Sequence, residues 1–457
     1  MIMAVVKRKN VIIMVCIIVF SSGFSVAQDW PQWRGSNRDA KIKGFTIPDS
    51  WPKELTQKWK ITVGEGTDST PALVGDKLYV FTRQGGEEVT LCLNADTGKE
   101  IWKDSYEAPA NLSADRGHAG PRSSPAVADG MIVTFGISGE LSCLDATSGD
   151  LKWRKNDFPG DLPRFNTAMS PMIVDGLCIG EFGGQNNAAV VAYELSSGNQ
   201  KWKWDSPGTT QSSSNLMTIG DMKIAVVMTS NNVVGINIAD GSLLWEIPFE
   251  AGRNRQCVTP IVDGQKVICC GGQGQGMKAV EIKKEGDKFT VNDLWTYSDN
   301  YIEYDTPVIK NGFVFAVSNQ DEYFCVNAEN GQEAWINKPE TALLDNISNS
   351  NVNTVFAAMR GGRGSSMGGG RGGRGGMGGR GGGMGSTAGY GTIVDAGSVL
   401  IGLIASGQLT VLEPNGKEYK ELASYKVGDG PIYAYPVISG NRIYIKDQTS
   451  LTLWTVK

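Results

Sequence analysis

The chain is poor in the residues that most enzymes use for catalysis and metal binding. Its 457 residues contain one histidine, His118, and eight cysteines, and no CxxC, HExxH or P-loop motif occurs. A zinc site and a Ser-His-Asp triad both need histidines or clustered ligands that this chain lacks. The few, scattered cysteines also argue against a disulfide-stapled scaffold.

A long hydrophobic run is also missing. The longest apolar stretch near the N-terminus, residues 11–20, is shorter than the roughly 20 residues that span a bilayer. It follows three basic residues, 7–9, and precedes Ser25-Val26-Ala27, which has small residues at the positions a signal peptidase requires. We therefore predict a Sec signal peptide over 1–27, cleaved after Ala27, and a periplasmic or secreted protein without a transmembrane anchor.

Positive charge is in deficit as well. The chain has 43 Lys and Arg against 48 Asp and Glu, a net charge of −5, and loss of the signal peptide makes it more acidic. Residues 360–385 are rich in Gly and Arg like the tail of an RNA-binding protein, but an acidic exported body is a poor partner for phosphates. We expect this stretch to be a disordered loop insertion, with no binding of nucleic acid.

What the sequence has instead is a repeat. "SSPAVADGMIVTFGISGELSCLDATSGDLKW" contains three alternating apolar runs, a turn and a final run that ends in Trp. Similar units recur along the chain, so each predicts four short strands. The eight copies occupy residues 69–102, 123–153, 169–202, 213–245, 258–295, 305–335, 389–419 and 434–457.

A glycine four residues before the terminal Trp is the most regular feature of the repeat. Such a glycine permits a tight turn, and the Trp that follows has enough area to pack one unit on the next. Cys92, Cys143 and Cys325 each precede the turn glycine by six residues, so we expect them in the core. The predicted docking tryptophans are Trp102, Trp153, Trp202, Trp245 and Trp335.

Four-stranded units of this length that need neighbours to bury their faces predict an all-β fold, an eight-bladed β-propeller. The eighth copy lacks its outer strand, and the segment around Trp59 supplies one. We therefore predict that an N-terminal strand closes the ring. The predicted organisation is a signal peptide (1–27), a lead-in segment (28–54) and the propeller (55–457).

These motifs carry a family resemblance. "LDATSGDLKW" and "LNADTGKEIW" resemble the tryptophan-docking repeat of pyrroloquinoline-quinone (PQQ) propeller proteins, and the lead-in "DWPQWRGSNRDA" resembles the start of exported PQQ-like propellers. The resemblance implies the fold across the mature chain. It implies little about activity, because the repeat motif is structural.

The loops that lead from an outer strand to the next inner strand are long and polar, and loops on a rigid frame carry function. Arginine, carboxylate and tyrosine side chains in these loops would suit a carboxylate or a sugar at the channel mouth, although polar rims are also common without any ligand. The candidate ligand-binding residues are Arg122, Arg164, Arg253, Arg255, Glu303, Asp305, Tyr433 and Tyr435.

Two functions stay open. The first is a non-catalytic binding or scaffolding propeller, expected to be a monomer without a cofactor, which takes a protein partner or small ligand on the mouth face. It is similar in kind to the propeller lipoprotein of the outer-membrane assembly machine, although no lipid-attachment cysteine is evident here. The alternative is a PQQ-dependent alcohol or sugar dehydrogenase with calcium, for which the resemblance implies a bound cation, a carboxylate base and apolar packing of the quinone ring. Asp299, Glu303 and Asp305 are the carboxylates that cluster in one loop, and they do not by themselves define a cation shell.

Overall fold

The computed structural model describes residues 28–108, 118–185, 187–249, 257–271, 275–337 and 387–456. The predicted signal peptide, the Arg/Gly-rich stretch at 360–385, and both Arg253 and Arg255 lie outside these residues. Within the described ranges every regular element is a β-strand, and no helix is long and apolar enough to cross a membrane.

The strands form eight antiparallel four-stranded sheets, which are the eight predicted blades. The strands of blades 1 to 4 are β2 (Ala72–Val74), β3 (Lys77–Gln84), β4 (Glu87–Asn94), β5 (Glu100–Glu107); β6 (Ala126–Ala128), β7 (Met131–Phe135), β8 (Leu141–Asp145), β9 (Leu151–Lys155); β10 (Met172–Val174), β11 (Leu177–Gly183), β12 (Ala188–Glu194), β13 (Gln200–Ser206); and β14 (Asn215–Ile219), β15 (Met222–Met228), β16 (Asn232–Asn237), β17 (Leu243–Pro248).

Blades 5 to 8 repeat this order from inner to outer strand. Their strands are β18 (Ile261–Asp263), β19 (Lys266–Cys270), β20 (Met277–Glu285), β21 (Lys288–Tyr297); β22 (Val308–Lys310), β23 (Phe313–Val317), β24 (Tyr323–Asn327), β25 (Glu333–Ile336); β26 (Gly391–Asp395), β27 (Leu400–Ile404), β28 (Gln408–Leu412), β29 (Glu421–Lys426); and β30 (Val437–Ser439), β31 (Arg442–Lys446), β32 (Ser450–Thr455), completed by β1 (Thr56–Thr62).

The ring is closed by the N-terminal strand, as the sequence predicts. Strand β1 pairs antiparallel with β32 and becomes the outer strand of blade 8, with Trp59 opposite Leu453. The first and last strands of the propeller therefore share one sheet, which holds the ring closed between blade 8 and blade 1.

A small residue in the third strand lies directly opposite the outer-strand tryptophan. Cys92 pairs with Trp102, and Cys143 and Cys325 take the same place in their blades, each followed by a register shift. The three cysteines are fully buried, which confirms the predicted core position. At Gly235, the same position in blade 4, an added Cβ would lie 2.1 Å from the tryptophan ring, so the space left for this side chain is small.

The outer-strand indole of blades 1, 2, 3 and 5 packs on the turn glycine of the next blade. A Cβ added to Gly198 would lie 2.8 Å from Trp153, and that tryptophan donates a hydrogen bond to the Leu195 carbonyl at 2.9 Å. Trp202 makes the same contact with blade 4, donating to the Ile238 carbonyl at 2.8 Å. The glycine is required both by the close approach and by its positive φ, which is 70° at Gly198.

Blade 5 departs from this pattern. The charged insertion of the fifth repeat extends β20 and β21 into a long hairpin whose last paired residues are Glu285 and Lys288. Its turn lies away from Trp245, since a Cβ added to Gly286 would meet nothing within 4 Å. The Trp245 indole is buried, and its Nε1 has no partner among the described residues.

Candidate functional site

A belt of hydroxyl groups surrounds the propeller axis where the chain enters each inner strand. In six blades a Ser or Thr side-chain oxygen accepts a hydrogen bond from the equivalent backbone N–H of the preceding blade, at 2.9–3.1 Å. Five of these six residues directly precede a proline. The belt consists of Thr70, Ser124, Ser170, Ser213, Thr259 and Thr306.

Blade 7 interrupts the belt because it has Gly391 at the equivalent position. There the Asp305 carboxylate accepts a hydrogen bond from the Gly391 backbone N–H. On the other side, the Tyr435 N–H of blade 8 donates to Thr70. The belt therefore joins blade 8 to blades 1 through 6, and Asp305 connects blade 6 to blade 7.

The lead-in segment, residues 28–54, crosses the axis on the face opposite the loops that enter the inner strands. Trp30 pairs with Leu73 of blade 1, and the Pro31 carbonyl accepts a hydrogen bond from the Val127 N–H of blade 2 at 2.8 Å. Further along, Lys41 pairs with Asp395 of blade 7. We call residues 30–40 the plug.

Arg34 of the plug reaches blades 6 and 8. Its guanidinium donates to the Thr306 carbonyl, to the Pro307 carbonyl at 2.7 Å and to the Tyr435 hydroxyl at 2.8 Å. The side chain is 1% exposed. A buried guanidinium is stable only when its donors are matched by acceptors of this kind.

Arg38 of the plug reaches blades 3 and 4. It donates to the carbonyls of Ser170, Pro171 and Ser214 at 2.9–3.0 Å and lies over the Trp33 ring at 5.2 Å. Burial and the neighbouring Arg34 lower the pKa of Arg38 to about 9. Together the two arginines bind blades on opposite sides of the ring, blades 6 and 8 and blades 3 and 4, so the plug lies across the axis on that face.

The residues two positions before the belt form a second ring, the mouth ring. Because the chain runs from the mouth face into each inner strand, this ring lies on the mouth side of the belt. Neighbouring blades meet there, as Gln211 of blade 4 contacts Cys257 of blade 5 at 3.2 Å. The members of the mouth ring that carry a polar or thiol side chain are Asp68, Arg122, Gln211, Cys257, Tyr304 and Tyr433.

Aromatic side chains form one wall of the mouth. Tyr304 stacks on Tyr390 with ring centroids 3.8 Å apart, and Tyr390 meets Tyr433 edge-on at 4.5 Å. His118 lies 4.9 Å from Tyr433 and contacts the Asp68 carboxylate through Nδ1. This aromatic wall thus runs continuously from blade 6 to the loop that enters blade 2.

Three polar atoms at the mouth are enclosed without a hydrogen-bond partner among the described residues. They are Asp68 Oδ1, Gln211 Nε2 and Asp305 Oδ2. Burial raises the pKa of Asp305 to about 7, against the opposing effect of the Gly391 N–H and Arg34. Enclosed polar atoms of this kind cost about 1–3 kcal/mol each unless a ligand or water satisfies them.

The predicted ligand residues fall in different places. Arg122 lies in the mouth ring, where it donates to the carbonyls of Phe165 and His118, and Tyr433 forms part of the aromatic wall. Tyr435 lies one layer deeper, bound to Arg34. Arg164 is exposed, with its guanidinium over the Phe165 ring at 5.3 Å. Glu303 is partly buried beside Tyr304.

Several residues of the site were missed by reasoning from the sequence. The plug arginines lie in a segment without repeats, so no pattern pointed to them. The belt had a detectable signal in the recurring Ser or Thr before the strand-initiating Pro. Tyr390 lies in a degenerate repeat, where the alignment of copies gives little guidance.

The mouth offers only part of what the PQQ and calcium implied by the fold family would need. The aromatic wall is a surface for a planar ring, but no three His, Cys, Asp or Glu side chains in the described ranges come together to hold a metal ion. Cys269 and Cys270 are buried thiols that pack into two different clusters, one on each side of blade 5. The described part of the mouth therefore does not fit a cation-bound quinone.

Comparison with known proteins relates the chain to two kinds of propeller. Residues 52–202 and 86–337 match the model of the family described as outer membrane protein assembly factor BamB. The putative dehydrogenase XoxF of Paracoccus denitrificans is 27% identical over 186 residues, 39% of this chain but only 31% of that protein. BamB of Yersinia pestis is 22% identical over 370 residues, 67% of this chain and 89% of that protein.

Solved structures show the same fold. The quinohemoprotein alcohol dehydrogenase of Comamonas testosteroni superposes with a TM-score of 0.61 at 12% identity, over 93% of this chain and 80% of that one. At this level of identity the likeness shows the propeller architecture and carries no activity with it.

Proposed function

The chain belongs to the PQQ-like propeller family whose model is described as outer membrane protein assembly factor BamB, and we propose that it is a non-catalytic binding or scaffolding protein outside the cytoplasm. It takes its partner or ligand on the mouth face. The relatives named for outer-membrane assembly and the acidic, repeat-built chain support this function.

The plug is the observation on which this proposal rests. Arg34 and Arg38 close the axis by hydrogen bonds to four blades, so a partner that approaches along the axis meets the mouth rather than a through-channel. A closed, internally bonded axis is a rigid platform, and binding surfaces are commonly built from loops held on such a frame.

The second candidate is a PQQ-dependent oxidoreductase. One observation favours it: Asp305 has a pKa of about 7 at the axis, which is the range in which a general base works. Asp305 follows Tyr304 of the aromatic wall in the chain, so it is the carboxylate that would serve as the base for a bound quinone. The hydrogen bond from Gly391 to this carboxyl favours a structural role instead.

Calorimetric titration of the purified protein with PQQ, with and without calcium, separates the two. We expect no heat at micromolar concentrations in either condition. Calcium-dependent one-to-one binding that Asp305→Asn weakens would refute the non-catalytic function and direct the search to alcohols and sugars as substrates.

A further inference from the structure

We propose that the mouth ring and the plug form a one-ended cup that binds a small neutral polyhydroxylated molecule, a sugar or a polyol. The inference rests on the proposed function, because it names the ligand class of the same mouth face. The cup has the mouth ring and the aromatic wall as its sides, the belt at its base and the plug beneath.

The enclosed polar atoms set the chemistry of the ligand. Asp68 Oδ1 is an acceptor, Gln211 Nε2 is a donor, and Asp305 Oδ2 accepts or donates according to its protonation, which changes near pH 7. These atoms belong to the loops that enter blades 1, 4 and 6, with Asp68 and Gln211 in the mouth ring and Asp305 next to it. A hydroxyl group both donates and accepts, and a molecule with several hydroxyls matches this mixed set.

The aromatic wall sets the shape of the ligand. Tyr304 and Tyr390 stack face to face with 4° between their planes, so each ring keeps one face that the other does not cover as an apolar surface. Ligand sites commonly combine such a surface with a few placed polar groups. A sugar ring has the same division, with C–H groups on its faces and hydroxyls at its edge.

The cationic groups in the described part of the mouth argue against an anionic ligand. The Arg122 guanidinium donates to two carbonyls, and the Lys446 ammonium donates to the Thr67 carbonyl at 2.8 Å and to its hydroxyl at 2.5 Å. The Asp68 carboxylate contacts His118. The two cationic groups are engaged by the protein, so an anion would have to displace their contacts.

The test is ligand-observed saturation-transfer NMR on the purified protein. The neutral probes are glycerol, D-glucose, maltose and N-acetylglucosamine, and the charged probes are gluconate and choline. We expect saturation transfer to at least one neutral probe and a weaker signal, or none, from the charged ones. Transfer to gluconate or choline alone, or to no probe, would overturn the inference.

Matched variants locate the binding, measured by titration of the same signal. Gln211→Met removes the enclosed amide at nearly constant volume, and Gln332→Met makes the same change at an exposed turn of blade 6. We expect at least about tenfold weaker binding for the first and unchanged binding for the second. Asp305→Asn keeps an acceptor for the Gly391 N–H and supplies a second probe if Gln211→Met fails to fold.

Equal binding by all these proteins would place the ligand outside the cup and refute the proposal. The PQQ titration is independent of this result. If the protein binds neither PQQ nor a sugar, the proposed non-catalytic function stands and the proposed ligand class is wrong. Calcium-dependent binding of PQQ would instead refute the proposed function itself.

Discussion

Arg38→Ala should destabilise the propeller far more than truncation of a surface arginine. The Arg38 side chain is 2% exposed and donates to three backbone carbonyls of blades 3 and 4. A hydrogen bond to a charged group contributes about 1.5–3 kcal/mol, and water that enters the vacated space can replace part of the lost donors. We therefore expect the free energy of unfolding to fall by about 3–5 kcal/mol.

Urea unfolding followed by tryptophan fluorescence measures this change, provided that the m-value is the same for both proteins. Arg442→Ala is the control, since Arg442 forms an ion pair with the exposed Asp96 at 2.7 Å and its loss should cost about 1 kcal/mol or less. Arg38→Lys should lie between the two, because a single ammonium cannot serve three carbonyls in a fork geometry. A loss below about 1 kcal/mol for Arg38→Ala would refute the structural role of the plug.

Three further predictions use the buried groups. Burial raises the pKa of Glu181 to about 8, so the folded protein holds a proton that the unfolded chain releases above about pH 4.3. The free energy of unfolding should therefore fall as the pH rises from 5 to 8. Over this range Glu181→Gln should gain up to about 1.4 kcal/mol of stability per pH unit relative to wild type, measured by urea unfolding. Trp202→Phe loses a hydrogen bond that Trp245 does not make among the described residues, so thermal unfolding should show it about 1 kcal/mol less stable than Trp245→Phe; equal losses would contradict this. Cys269 and Cys270 are buried, which raises their thiol pKa values. Peptide mapping should therefore find them unmodified by iodoacetamide at pH 8 until the protein is unfolded. A disulfide between the two cysteines would contradict their assignment as free thiols.

The propeller could be predicted from the sequence because its signals are periodic. The alternation within each run, the turn glycine and the terminal Trp recur at fixed offsets, and Trp59 in an unassigned segment marks the strand that the eighth copy lacks. The missing contact at Trp245 could also be inferred, because the fifth repeat has an insertion where the turn glycine belongs.

The site was less predictable because its parts are not periodic. Arg34 and Arg38 lie in a lead-in that has no repeat, and three non-glycine residues of the plug, including both arginines, adopt positive φ values that are uncommon outside glycine. Tyr435 resembles a mouth residue in its loop position, but its hydroxyl contacts Arg34 below the belt. Only tertiary contacts distinguish a residue of the mouth ring from a residue at the level of the belt.

The plug and β1 also determine when folding of the propeller can be completed. Both precede blade 1 in the chain, yet β1 pairs with β32 and Arg34 binds the Tyr435 hydroxyl of blade 8. The earliest part of the propeller to leave the ribosome must therefore wait for the latest part before it finds its partners. Folding of the ring is thus tied to completion of the chain, because a truncated product that lacks blade 8 exposes an unpaired β1 and leaves Arg34 without its acceptor on Tyr435.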